Sequence, residues 1–340
     1  MERDPRDAIR QQAMSRLQWI VVVLCIALNA VDGFDVLAIS FAAPGIAEEW
    51  NIDRGMLGVV LSMELLGMAV GSVLIGNLAD RIGRRPVILG CLVAMACGMG
   101  LAAWASSVAM LSVIRLFTGL GIGGMLSSTS AMVAGFSNDR RRPRNVVLNI
   151  AGYSAGAILG GVLASMLLAR TGEWRTVFLV GAAATVCLLP LAWWLLPESI
   201  ESQLARRPAG ALDSINRTLR RLRMATLSQL PPPPAMVSRP SILGLFSQGH
   251  GVVTVLLTLA YFSQIMAFYF IQKWTPKIVV DMGFDAAQAG GVLVWANVGC
   301  LVGAVAVGLA ELRFRLRPPV VTPAQDPPPH TQFRQRSRWR

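Results

Sequence analysis

Eight apolar runs, each close to the roughly 20 residues a helix needs to cross hydrocarbon, constrain this chain more than any other feature. They cover about 17–43, 56–78, 87–105, 108–133, 146–169, 175–196, 251–275 and 288–310. Within hydrocarbon every backbone polar group must find a partner in the protein, which leaves helices and closed barrels. A barrel would show short alternating segments, and these runs are continuous. The predicted fold class is therefore an all-α polytopic membrane protein. Charged residues make up only 15% of the chain, against about 25% in a soluble domain.

The formal net charge of +12 raises the question of a nucleic-acid partner. The basic residues do not share one face, however; they gather in alternate connections between the apolar runs. Residues 1–16, the connections around Arg81 and Arg140, the segment 197–250 and the tail 311–340 hold most of them. Arg54, Arg170, Arg175, Lys273 and Lys277 are assigned to the opposite side, Arg175 and Lys273 at the ends of their runs, which leaves Arg115 alone in the interior of a run. The positive-inside rule then predicts a multi-pass inner-membrane protein with a cytoplasmic N-terminus, with the lipid bilayer and not nucleic acid as its partner. Residues 197–250 form a cytoplasmic linker, in which a basic helix around Arg217, Arg220, Arg221 and Arg223 has the composition to rest on anionic headgroups. A solvated linker accounts for the same charges. The five cysteines lie in apolar runs without ligand spacing, so no metal site is predicted.

The stretch Gly76-Asn77-Leu78-Ala79-Asp80-Arg81-Ile82-Gly83-Arg84-Arg85-Pro86-Val87 confines its charges between two apolar runs and reads as a short solvent-exposed hinge. Gly76 and Gly83 permit a tight turn and close helix approach. Asp80 can pair with an arginine or cap a helix end. Part of this region recurs later at one constant offset: Pro44 as Pro276, Asp53 as Asp285, and Gly67, Gly71 and Gly76 as Gly299, Gly303 and Gly308.

The charged stretch resembles, position by position, the G-x-L-A-D-R-x-G-R-R signature between the second and third helices of the major facilitator superfamily. The resemblance implies two six-helix halves with substrate bound between them, and a latch made of Gly76, Asp80, Arg81, Gly83, Arg84 and Arg85 that breaks and re-forms during alternating access. On that pattern residues 17–196 are a complete N-terminal bundle and 251–310 the first two helices of the C-terminal one. After Val320 the chain turns rich in Pro, Gln and Arg, and the expectation is a C-terminal truncation with a disordered tail. Two helices do not close the far wall of a central cavity, so this sequence alone is not expected to transport.

Polar residues inside the runs are the candidates for mechanism, because an acid at membrane depth costs at least about 2.5 kcal/mol and requires a partner or a water-filled cavity. Asp32 and Asp35 stand one helical turn apart in Asp32-Gly33-Phe34-Asp35, and Glu64 lies midway along the second run. All three are candidate proton-coupling sites. Arg115, in a segment resembling the family's fourth-helix R-x-x-x-G-x-G-G pattern, can hold a carboxylate bidentately. Two roles are open to it: contact with substrate, or service as a counter-ion, to Asp32 for example. Gly152, Gly156, Gly160 and Gly161 form a small-residue stripe suited to close packing, and Leu196-Pro197-Glu198-Ser199 reads as a helix stop.

Asp32-Gly33-Phe34-Asp35, the fourth-helix glycines and Trp274-Thr275-Pro276-Lys277 together resemble the aromatic acid:proton symporters of that superfamily, importers of benzoate-like and 4-hydroxybenzoate-like anions. The resemblance implies proton-coupled import of a small aromatic carboxylate, driven by the proton gradient and without a cofactor. Arg115, Phe34, Tyr153, Gln264, Tyr269 and Trp295 would line its site. The alternatives are a carrier for another organic anion (nicotinate, a sugar acid or a dicarboxylate) and a non-transporting remnant. An enzyme is disfavoured, since His250 and His330 lie at the edge of a run and in the tail, away from any nucleophile or paired carboxylates.

Overall fold

A computed structural model describes residues 5–231 and 251–314. The described residues contain helices and no strand. A short helix, α1 (Pro5–Gln11), precedes six long ones: α2 (Arg16–Glu49), α3 (Arg54–Ile82), α4 (Arg84–Ala103), α5 (Val108–Phe136), α6 (Arg142–Thr171) and α7 (Arg175–Leu195). Two polar helices follow, α8 (Ile200–Arg206) and α9 (Ala211–Leu222), and then α10 (Gly251–Asp281) and α11 (Ala286–Phe314). Eight of these are long and apolar enough to span a membrane, one for each apolar run. The residues through Gly299 form one compact unit, and Cys300 onward belongs to a second.

Local signals set the helix starts. Ser15, Asp53 and Ser107 each accept a backbone N–H from the first turn of the helix they precede, at Gln18, Met56 and Met110. Their ends differ from expectation in two informative places. Both α2 and α10 run past a proline, Pro44 and Pro276, and each ends five residues beyond it. The apolar run ends before the helix does, since a helix needs hydrocarbon-compatible side chains only at membrane depth, and packed neighbours tolerate an interior proline.

Helix α2 is central. It packs on α3, α5, α6, α7 and α10, while α3 pairs with α5, and α4 with α5 and α7. Two of these pairings bring backbones into contact. At Gly156 of α6 an added Cβ would collide with the carbonyl of Ala30, and at Gly119 of α5 with the carbonyl of Glu64. Only a residue without a side chain fits at such crossings.

The expected hinge is a correction. Helix α3 continues through Gly76, Asp80 and Arg81, and Gly83 alone separates α3 from α4, at φ 112°. That conformation is open to glycine and strained for other residues, so Gly83 supplies the turn and Gly76 does not. The basic helix of the linker is α9, and its apolar residues Ile215, Leu219 and Leu222 are buried within the protein. They pack against protein, so the face available to lipid headgroups is not the apolar one. The chain from 232 to 250 and from 315 onward, including much of the second copy of the charged stretch, lies outside the described residues.

Candidate functional site

Three long helices deliver acids and bases to one buried cluster. Asp35 of α2, Glu64 of α3 and Arg115 of α5 have essentially no exposed surface. The Arg115 guanidinium donates to Asp35 Oδ1 at 3.1 Å, to the Asp35 carbonyl at 3.0 Å, and to Glu64 Oε1. The Phe178 ring lies 5.7 Å from its central carbon, on the side of α7. The Gly119 crossing explains why Glu64 and Arg115 meet: α3 and α5 approach to backbone contact beside both residues.

A fourth member comes from α10. Lys273, 2% exposed, donates to Glu64 Oε2 at 2.5 Å and to the carbonyl of Val36. Its burial corrects the sequence reading, which put Lys273 in an outer connection and left Arg115 alone within a span. The misreading has a cause: Trp274-Thr275-Pro276 resembles a loop, yet α10 runs straight through it. A signal existed in the internal repeat, since Pro276 corresponds to Pro44 and Pro44 also sits inside its helix.

Glu64 thus bridges two cations, one from each side of the linker. A second correction concerns Asp32. Arg115 takes Asp35 and Glu64, and the Asp32 carboxyl, 1% exposed, has an oxygen with no hydrogen-bond partner among the described residues, as does Asp35. One turn along α2, Asn29 continues the same polar stripe, donating to the Asn149 carbonyl and accepting from Thr129, both at 3.0 Å. Sequence reasoning missed this triad because amides in apolar runs are common and their partners lie more than 95 residues away in the chain.

The aromatic candidates scatter. Tyr269 is half-buried one turn before Lys273 and lines, with Tyr261, Phe262, Phe270, Trp274 and Lys273, a groove of about 1060 Å³ between α10 and α3. Phe34 is buried against α6 and α7, where Gly160 and Gly181 make room for its ring, and is not among the residues that line that groove. Tyr153 is half-buried on α6, Gln264 is exposed, and Trp295 is 75% exposed. Gln272 and Asn297, both buried, exchange amide hydrogen bonds at 2.8 and 3.0 Å and tie α10 to α11 beside Lys273.

At the other end of the bundle Glu198 has a role that its reading as part of a helix stop overlooked. Its Oε1 accepts from the backbone N–H of Arg84 at 3.0 Å and of Arg85 at 3.5 Å, and Arg206 lies 4.0 Å from its second oxygen. A carboxylate at a helix N-terminus satisfies free donors and complements the dipole, so Glu198 clamps the charged stretch where α4 begins. Arg84 reaches the Ala131 carbonyl and Arg85 the Trp193 carbonyl, whereas Asp80 and Arg81 are exposed.

Comparisons with known proteins agree with this architecture. The model of the Major Facilitator Superfamily matches residues 25–322. A gallate transporter of Pseudomonas putida is 32% identical over 315 residues, covering 90% of this chain and 68% of the relative. A 4-hydroxybenzoate transporter of the same organism is 32% identical over 317 residues, covering 92% and 70%. The Escherichia coli xylose transporter, in a partially occluded inward-open conformation, shares the fold at a TM-score of 0.69 and 18% identity, over 88% of this chain and 72% of that one. With a buried charge cluster on membrane-length helices, the intact charged stretch and a family match over most of its length, this chain belongs to the major facilitator superfamily, a family of membrane transporters and not of enzymes.

Proposed function

We propose that the chain carries the substrate and proton sites of an importer of small aromatic carboxylates, working by alternating access in the cell's inner membrane with its N-terminus in the cytoplasm. The observation that carries the reading is Arg115, a fully buried guanidinium held by two carboxyls, Asp35 and Glu64, with the buried Asp32 one helical turn from Asp35 on the same helix. A planar fork of donors suits a planar carboxylate. Acids held beside it in a dry environment are suited to take a proton when an anion arrives, since burying a second negative charge unpaired is costly. The two P. putida relatives, named for aromatic carboxylates, support the substrate class.

Contacts at one end of the bundle support the alternating-access part. Arg54 at the start of α3 meets Asp281 at the end of α10 at 2.9 Å, and one turn deeper the Trp274 ring lies against Gly58. By the distribution of basic residues this end is the outer one. A contact that closes this end is what the inward-facing half of an alternating-access cycle requires. The proton gradient would supply the drive, about 2.3 kcal/mol per charge for each 100 mV of potential.

Equilibrium binding to the chain in lipid nanodiscs tests the reading. The expected result is that 4-hydroxybenzoate and gallate bind while the methyl ester of 4-hydroxybenzoate does not, and that Arg115→Gln removes acid binding. Equal binding of acid and ester, or full binding by Arg115→Gln, would overturn it.

A further inference from the structure

Among the four charged members of the cluster, Glu64 is the only one that bridges two cations. Asp35 occupies one arm of Arg115, and Lys273 has no other acid within reach of its nitrogen among the described residues. If Glu64 leaves, Lys273 loses its acid and Arg115 keeps only Asp35, so the cluster carries a net positive charge at a depth where an uncompensated charge is strongly disfavoured. Glu64 can therefore leave only when another anion takes its place.

The geometry points to a specific exchange. We propose that Glu64 is a resident stand-in for the ligand's carboxylate, and that Lys273 with Arg115 forms a two-pronged anion site which an aromatic carboxylate occupies as a protonated Glu64 withdraws. This rests on the function proposed above and deepens it, by naming Lys273 as the second cation of the site. The proton passes from water to a Glu64 oxygen; the incoming carboxylate makes the two ion pairs that Glu64 gives up; the net charge of the site is unchanged. On release Glu64 returns its proton to water on the cytoplasmic side and pairs again with both cations. Proton and anion must move together because either one alone leaves the cluster with an uncompensated charge.

Space beside Lys273 fits this assignment. The groove of about 1060 Å³ that Lys273 lines is walled by Tyr269, Phe270 and Trp274, with the hydroxyl-bearing Ser62 and Thr258 along it. Flat apolar walls with a few hydroxyls and one cation suit a hydroxylated ring bearing one carboxylate. The titratable and charged groups around Glu64 are Asp32 and Asp35 from α2, Arg115 from α5 and Lys273 from α10, with the Tyr153 hydroxyl from α6 and that of Tyr269 from α10. Asp32 and Asp35 are the competing proton acceptors, and a variant of Glu64 separates its proton from theirs.

The test uses the whole chain in nanodiscs, with 4-hydroxybenzoate as probe and its methyl ester as control, across mildly acidic to mildly alkaline pH. Lys273→Met is expected to weaken acid binding by about tenfold or more, the loss of one charge-assisted contact. Glu64→Gln leaves both cations without their bridge, and is expected to bind the acid more tightly than the parent with a flattened pH dependence. Should Lys273→Met fail to fold, the Glu64→Gln titration decides alone. If the parent binds the acid and Lys273→Met binds it equally well, or Glu64→Gln keeps the parent's affinity and pH dependence, the exchange is wrong while the proposed function stands. A parent chain that binds no aromatic acid at any pH overturns both.

Discussion

Glu64 of α3 and Lys273 of α10 lie 2.5 Å apart, both essentially without exposed surface, and join a helix of the first six to a helix beyond the linker. Rocking two halves of a carrier past each other would have to break this pair, whereas the Arg115 pairs with Asp35 and Glu64 stay within the first six helices. The first pair is placed to report on conformation, the others to hold the bundle together.

That division predicts unequal stability effects. Arg115→Met leaves the buried Asp35 without its cation and Glu64 with Lys273 alone, which should cost about 3–5 kcal/mol. Thermal unfolding followed by intrinsic tryptophan fluorescence in detergent should show the loss, and Arg115→Met/Asp35→Asn should recover part of it. A melting temperature that does not move would mean the acids are already neutral or solvated.

Close helix crossings make a second prediction. Gly156→Ala drives a methyl group into the Ala30 carbonyl of α2, and overpacking of this kind costs about 1–3 kcal/mol. Gly90→Ala, where an added Cβ meets nothing within 4 Å, is the matched control and should leave the melt unchanged. If the two variants melt alike, the crossing is looser than described.

The clamp on the charged stretch is testable separately. Glu198→Gln weakens the capping of the Arg84 and Arg85 N–H groups at the start of α4, an effect of about 0.5–2 kcal/mol for a helix cap. Faster amide exchange confined to the first turn of α4 is the expected signature, with the rest of the helix unaffected. Unchanged exchange there would mean that Glu198 does not cap α4.

The exposed pair joining the start of α3 to the end of α10 should behave differently. The Arg54 side chain is 76% exposed in its contact with Asp281, and such pairs contribute about 0.2–1 kcal/mol and are screened by salt. Arg54→Gln should therefore barely change the melt, while increasing modification of a cysteine introduced at Gly58 by an impermeant thiol reagent. No gain in modification would mean that Arg54 and Asp281 do not help to close that end.

Much of this fold could be read from residues alone, because hydropathy acts over each span separately. All eight spans appear where the apolar runs lie, and Asp35, Glu64 and Arg115 stand out as polar groups that membrane depth makes costly. What one dimension hides is which of them meet. The sequence offered Asp32 as the counter-ion of Arg115, whereas the structure pairs Arg115 with Asp35, a choice that depends on the rotation of α2 against α5. Lys273 was hidden by a loop-like neighbourhood, although its helix carries a proline matched by one inside α2. Glu198 was hidden because its partners are backbone N–H groups more than 110 residues away, which no side-chain pattern records. The aromatic side chains were least legible: Phe34 fills a packing gap left by Gly160 and Gly181, and nothing in its spacing separates that from a place in a binding site.

The central claim is that an aromatic carboxylate and a proton bind this buried cluster together. Proton uptake on adding 4-hydroxybenzoate to the nanodisc-embedded chain in weakly buffered solution, read with a pH indicator, measures that directly. The account predicts about one proton taken up per carboxylate bound, since the site tolerates no uncompensated charge, and no uptake in Arg115→Gln. Carboxylate binding with no accompanying proton would contradict it.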